Sequence, residues 1–314
     1  MTNAPRPPVR YEQRKYLLAA VVVVLLVFGV TASYDREDTE GFNAARHDPA
    51  DRYLDSPLGA TRYRVYGSPG RPTIVLIHGF NGFLESWSPN VDALVDAGYR
   101  VVAYDLWGRG LSSRPRVDLT LATFHDQLAA LLRHLGATRV ILMGASFGCV
   151  IAADYTLQHP DMVDKLVLIS PAGWPSPHDS QWIKLPVVGD LIFHLAGRQL
   201  LRPKVEAYFY RSPVPWAMDA WDRYAAYPGY TRAALSTLRF SPVTDYTDGW
   251  RRLGTLDKPI LFIWGKQDVS FPYANKDKVA RLIPHAKVIG IDEAAHWVNI
   301  EQAAAVNEVI DGFL

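Results

Sequence analysis

A serine hydroxyl is a weak nucleophile at neutral pH. It reacts when a base takes its proton and an acid holds that base in the right tautomer. The stretch Gly144-Ala145-Ser146-Phe147-Gly148 presents a serine in a setting suited to this. The preceding run, Arg139-Val140-Ile141-Leu142-Met143, is apolar and β-branched like a buried strand. Cys149 to His159, with Val150, Ile151, Ala152, Ala153 and Leu157, reads as a helix stopped by Pro160. Gly-x-Ser-x-Gly therefore falls where a strand turns sharply into a helix, the setting of a nucleophile elbow. So tight a turn strains the serine backbone and needs small neighbours. The helix N-terminus favours negative charge beside the hydroxyl.

Two other residues suit the acid and the base. Asp268, in Gly265-Lys266-Gln267-Asp268, follows the strand-like run Pro259-Ile260-Leu261-Phe262-Ile263-Trp264. His296, in Ala294-Ala295-His296-Trp297, follows Lys287-Val288-Ile289-Gly290-Ile291. Both lie in loops at the C-terminal end of a strand, in the order serine, acid, histidine. Asp268 also suits a helix N-cap ahead of Pro272, in which case Asp292 or Glu293 would supply the acid. An oxyanion hole needs two backbone N–H groups. Phe147, directly after the serine, offers one, and Phe80, in the loop after Thr73–Ile77, offers the other. Trp174 and Trp297, with Phe80 and Phe147, are expected to line a substrate pocket. His78 is read as ordering the oxyanion loop, Asp105 as fixing its own loop, and Cys149 as a small buried apolar residue.

The elements that must position these residues alternate between strand and helix. Residues 62–66 alternate like a strand, and 73–77, 100–104, 139–143 and 165–169 are apolar strands separated by helical stretches. The pattern gives an α/β class with a mainly parallel sheet and helices on both faces. It breaks from about Gly173 to Leu253, where Pro186, Pro203, Pro213, Pro215 and Pro228 interrupt helical fragments crowded with aromatics. That stretch reads as a helical cap inserted over the sheet. The organisation is then a first core part over 56–172, a cap over 173–253 and a second core part over 254–314.

The N-terminal part is different. Residues 1–15 form a basic polar tail, residues 16–32 carry no charge, and residues 33–55 read as a polar linker that begins acidic. Residues 16–32 span about 25 Å as a helix, against a hydrocarbon core of about 30 Å. Basic residues before and acidic residues after predict a single-pass transmembrane anchor, its N-terminus cytoplasmic and the rest translocated to the periplasmic or extracellular side. A cleavable signal peptide has the same charge order, and Val30-Thr31-Ala32 would serve as its cleavage site, giving a secreted protein.

Composition narrows the remaining classes. The 314 residues are 49% apolar with a formal net charge of +1, so nothing points to nucleic acid. Cys149 is the one cysteine, which excludes an intrachain disulfide and a multi-cysteine metal site. The nine histidines form no H-x-x-x-H cluster, so neither a metal nor a cofactor is expected.

The chain resembles the α/β-hydrolase superfamily in its helical-cap, esterase/lipase-like group. The resemblance rests on His78-Gly79-Phe80, Asp105-x-x-Gly108-x-Gly110-x-Ser112, Gly144-x-Ser146-x-Gly148, Trp264-Gly265-x-x-Asp268 and His296, over residues 60–313. It implies the α/β-hydrolase fold, a triad of Ser146, Asp268 and His296, and an oxyanion pair of Phe80 and Phe147. Many relatives carry Gly where this chain has Cys149. A serine nucleophile argues against the dehalogenase and epoxide hydrolase branches, which use a carboxylate. The expected activity is hydrolysis of carboxylic esters with an apolar acyl chain at a membrane. A carbon–carbon bond hydrolase of the meta-cleavage type is the alternative enzyme, with Arg198, Arg202 and Arg211 as candidates to hold a substrate carboxylate. An inactive binding protein on the same fold is the non-enzyme alternative.

Overall fold

The computed structural model describes residues 9–34, 39–175 and 181–314. The apolar runs become one eight-stranded sheet in the order β1-β2-β4-β3-β5-β6-β7-β8. The strands are β1 (Arg52–Leu54), β2 (Thr61–Tyr66), β3 (Thr73–Ile77), β4 (Arg100–Tyr104), β5 (Val140–Ala145), β6 (Val163–Ile169), β7 (Ile260–Gly265) and β8 (Lys287–Ile291). β1 and β2 run antiparallel at one edge, and every pairing from β4 to β8 is parallel.

All five residues of β3 are buried, because both faces of the sheet are covered. Ile74, Leu76, Ile141, Met143, Val167 and Ile263 pack on one face against the helices Ser88–Asp96 and Ala303–Asp311. Val75, Ile77, Leu142, Leu168 and Phe262 pack on the other, where the helices Leu121–His134 and Phe147–Gln158 lie. The period of two along each strand thus divides the core in half. Every parallel strand ends at the same edge, so the loops after β3, β5, β7 and β8 gather there.

Among the described residues four α-helices lie between β6 and β7: Val188–Glu206, Pro215–Ala225, Tyr230–Phe240 and Thr247–Leu253. Their aromatics pack largely among themselves and against the sheet. Trp174 stacks on Trp250 with centroids 5.5 Å apart, and Trp250 meets Phe262 of β7.

Residues 33–55, read from their polarity as a linker, contain the helix Thr39–Ala44 and the edge strand β1. Part of their charge is paired rather than solvated. The Asp51 carboxylate is fully buried and accepts from Nε of both Arg62 and Arg64 at 2.6 Å.

The N-terminal helix runs Val9–Tyr34, and Leu17, Leu18, Val21 to Val24, Leu25 and Leu26 are exposed on it. Its continuously described side chains run from Gln13 to Leu26, about 21 Å of helix. Among the described residues no helix is long and apolar enough to cross a membrane. The structure therefore does not bear out the anchor expected over 16–32. The acidic flank Asp35, Glu37 and Asp38 and the first eight residues of the basic tail lie outside the described residues, as do the side chains of the cleavage motif.

Gly148 shows why the elbow tolerates no larger residue at its end. A Cβ there would lie 2.1 Å from the Ile77 carbonyl oxygen and 2.7 Å from that of His78, both backbone atoms at the end of β3. Gly148→Ala is expected to destabilise the protein by about 3 kcal/mol through overpacking against a rigid strand. Urea unfolding checks this, and an unchanged midpoint would mean that the helix can lift from β3 without cost.

Candidate active site

Ser146 follows directly on β5 and precedes the helix Phe147–Gln158, with φ 52° and ψ −118°. That is a strained conformation for a residue with a Cβ. It is held on both sides: the Ser146 N–H donates to Ile169 O at 2.8 Å, and its carbonyl accepts from Cys149 and Ala172. Gly79 passes close enough that a Cβ would lie 2.8 Å from the serine Cβ. The elbow and the loop after β3 are therefore in direct contact.

Cys149 fits where a glycine is common. Its Sγ–H faces the carbonyls of Gly144 at 3.1 Å and Ile169 at 3.3 Å, so the thiol satisfies the turn instead of disturbing it. Burial pushes this thiol well above its ordinary pKa, which keeps it protonated and inert.

His296 and Asp268 meet in the interior. Nδ1 of His296 lies 2.8 Å from Asp268 Oδ2, and both side chains are essentially fully buried. A carboxylate oxygen accepts, so Nδ1 carries a hydrogen, and in the neutral imidazole Nε2 is the nitrogen with the lone pair. The other Asp268 oxygen, Oδ1, accepts from the N–H groups of Ser270 and Phe271 at 2.8 and 3.0 Å. The cap-like role and the pairing with histidine, alternatives in the sequence, are both filled by one carboxylate. Asp292 and Glu293 point elsewhere, to Lys266 and Arg211.

The loop after β3 is built around His78. Leu106 N–H donates to Nε2 at 3.0 Å, which leaves Nδ1 to donate to Gly79 O at 2.8 Å. Burial lowers this imidazole's pKa to about 3, so it stays neutral and orders the loop. Asp105 fixes the neighbouring loop, accepting from Leu84 N–H at 2.7 Å and Leu111 N–H at 2.9 Å. Among the described residues the N–H groups of Phe80 and Phe147 have no hydrogen-bond partner.

Arg109 is a residue the sequence reading missed. Its side chain is buried, Nε donates to Phe80 O at 2.5 Å, and Nη2 reaches Thr237 of the insertion at 3.4 Å. The guanidinium also lies over the Phe80 and Tyr230 rings, 4.8 and 5.4 Å from their centroids. Among the described residues no carboxylate pairs with it. A buried cation beside Phe80 favours negative charge nearby. A lone arginine between two glycines carries no sequence signal for this role.

A cavity of about 290 Å³ opens beside Ser146. Phe80, Asn81, Tyr208, Phe271 and the aliphatic residues Ile183, Leu201, Leu238, Val243 and Val269 line it, with Lys184 and Lys204 among its polar residues. Tyr208 and Phe271 also pack on the His296 ring, with centroids 4.7 and 5.7 Å away. Two expected pocket residues lie elsewhere. Trp174 is committed to Trp250, and Trp297 sits among Phe83, Tyr208 and Phe209. Phe147 is fully buried against Phe124, so its contribution here is its backbone. Their positions, Trp174 at the start of the insertion and Trp297 beside His296, point toward the site, but packing turns both indoles into the core. Tyr208 and Phe271 lie in their place.

A family profile described as alpha/beta hydrolase fold matches residues 72–303, and the chain belongs to that family. Relatives and neighbours span most of its length. The AB hydrolase superfamily protein YfhM of Bacillus subtilis is 29% identical, over 79% of this chain and 92% of its own. The 2-hydroxy-6-oxononadienedioate/2-hydroxy-6-oxononatrienedioate hydrolase of Paraburkholderia phymatum is 27% identical, over 84% of this chain and 95% of its own. The crystal structure of a membrane phospholipase A superposes with a TM-score of 0.69 at 23% identity, over 97% of each chain. It shows the shared fold.

Proposed function

We propose that the protein is a serine hydrolase of carboxylic esters with a lipophilic acyl chain. The observation that carries this is the buried 2.8 Å contact between His296 Nδ1 and Asp268 Oδ2, with the His296 ring packed against Tyr208 and Phe271, which line the same cavity as Ser146. In this reading His296 Nε2 takes the Ser146 proton as the hydroxyl attacks the ester carbonyl. The imidazolium that forms is stabilised by Asp268 and returns the proton to the leaving alcohol. The Phe80 and Phe147 N–H groups hold the oxyanion, and water then releases the acid by the same steps in reverse. The aliphatic cavity wall supports the apolar acyl chain.

The carbon–carbon alternative loses its specific support. Arg198 and Arg202 pair with Asp222, and Arg211 with Glu293, all on the surface and outside the cavity lining.

The membrane anchor belongs to the same proposal. Its support is the uncharged run 16–32 and the exposed leucines and valines from Leu17 to Leu26. The hydrolase part would then sit on the translocated side.

The test uses the full chain in detergent, exposed to a fluorophosphonate probe and then to p-nitrophenyl esters of increasing chain length. The panel extends to phospholipids because of the membrane phospholipase A that shares the fold. Labelling at Ser146 with turnover rising toward longer chains is the expected result. A chain that takes up no probe and turns over no ester would overturn the reading. Recovery of the labelled protein in the aqueous fraction of lysed cells would overturn the anchor.

A further inference from the structure

Tyr208 enters the cavity just beyond the insertion's first helix, Val188–Glu206, and faces both Asn81 and the His296 ring. Its hydroxyl ends a chain of three hydrogen bonds. Trp221 Nε1 lies 3.0 Å from Tyr230 Oη, Tyr230 Oη lies 3.0 Å from Asn81 Oδ1, and Asn81 Nδ2 lies 2.9 Å from Tyr208 Oη.

The direction of this chain follows from its far end. An indole N–H can only donate, so the Tyr230 oxygen accepts from Trp221. A phenol has one hydrogen. If Tyr230 gives it to Asn81 Oδ1, the Asn81 NH₂ must face Tyr208, and Tyr208 accepts. If the amide is turned round, Asn81 donates to Tyr230, whose own hydrogen is then stranded. Tyr230 is 2% exposed, so a stranded donor there has no water to replace its lost partner. One hydrogen is left over in either arrangement. It is cheapest at the Tyr208 end, the only end that lines the cavity. The Tyr208 O–H is therefore the donor left over, on a residue that lines the same cavity as Ser146. Burial pushes this phenol up from its ordinary pKa, so it keeps its hydrogen at neutral pH.

We propose that the Tyr208 hydroxyl is a third hydrogen-bond donor to the substrate oxygen that becomes negatively charged, beside the N–H groups of Phe80 and Phe147. The inference rests on the serine hydrolase reading. No proton is transferred; the hydrogen bond shortens as charge develops on the oxygen and relaxes as the acyl-enzyme forms. Trp221, Tyr230 and Asn81 are positioning residues, which keep the donor aimed at the cavity.

The experiment is ester turnover by the full chain with position 208 varied. Tyr208→Phe is expected to lower kcat about 100-fold while KM changes less than about threefold, as for loss of one oxyanion donor. A hydroxyl that only anchors Asn81 to the insertion would give a loss as well, so a second substitution separates the roles. Replacing Tyr208 by 3-fluorotyrosine makes the phenol a stronger donor and a weaker acceptor with almost the same shape. A donor to the oxyanion keeps or raises kcat; an acceptor serving only Asn81 lowers it, and that result would overturn the proposal. The fluorinated chain also decides the matter if Tyr208→Phe does not fold. Probe labelling is read on the same samples. Wild-type protein that labels and turns over, with Tyr208→Phe within about threefold of it, refutes the Tyr208 role alone. Wild-type protein that does neither refutes the serine hydrolase reading itself.

Discussion

Ser146→Ala is expected to lower kcat on the order of a million-fold, and adding His296→Ala is expected to cost nothing further. The reason is the division of labour. In the proposed mechanism the imidazole acts on the serine proton, so once the hydroxyl is gone His296 has no proton to take from it. Two residues acting independently would instead multiply their losses. The buried geometry supports the dependent case: Asp268 occupies Nδ1, and only Nε2 can act as base. Steady-state kinetics on the two single variants and the double variant check this. A double variant slower than Ser146→Ala by the full factor of His296→Ala would show that His296 activates something other than the serine.

These residues were legible in the sequence because each is marked locally. Ser146 has two flanking glycines that close contacts demand: a Cβ on Gly144 would fall 2.5 Å from the Cys149 nitrogen. Asp268 and His296 each follow a strand-like run, so the strand end that presents them could be read directly. What was not legible depends on contacts across long stretches of chain. Arg109 reaches Phe80 29 positions away and Thr237 128 positions away, and neither contact imprints a period. The aromatic types of Trp174, Tyr208 and Trp297 announce burial but not which neighbour receives the ring. The segment from Asp48 to Asp51 read as solvated because its charge is visible in sequence while its partners, Arg62 and Arg64, are not.

Arg62 carries the second large effect. A strand that alternates Arg-Tyr-Arg-Val-Tyr reads as half-exposed, yet the Arg62 side chain is 2% exposed. It serves three carboxylates at once: Asp51 at 2.6 Å, Glu85 at 2.5 Å and Asp105 at 3.1 Å. It also reaches Tyr224 of the insertion at 3.2 Å, which itself donates to Glu85. One guanidinium thus joins the residue just before β1, β2, the loop that Asp105 fixes and the insertion. Arg62→Met removes the shared cation and leaves buried carboxylates behind, so a loss of about 3–5 kcal/mol is expected.

The loss should depend on pH with a definite sign. Burial tends to raise the Glu85 pKa, but Arg62 outweighs it and holds the carboxyl below its ordinary range. Burial raises Asp105, and Arg62 offsets only part of that. Without Arg62 both folded-state values rise above their unfolded ones. A group with a raised folded pKa contributes stability below its unfolded pKa and loses it as pH climbs through the folded value. The variant should therefore approach wild type in acid, where the carboxyls are protonated, and fall furthest behind at neutral pH and above. Urea midpoints at about pH 5 and about pH 8 measure the gap, which is expected to widen between them. A gap that stayed constant, or narrowed with rising pH, would mean that water solvates these carboxylates once Arg62 is gone. The buried arginine would then matter for its packing and not for its charge.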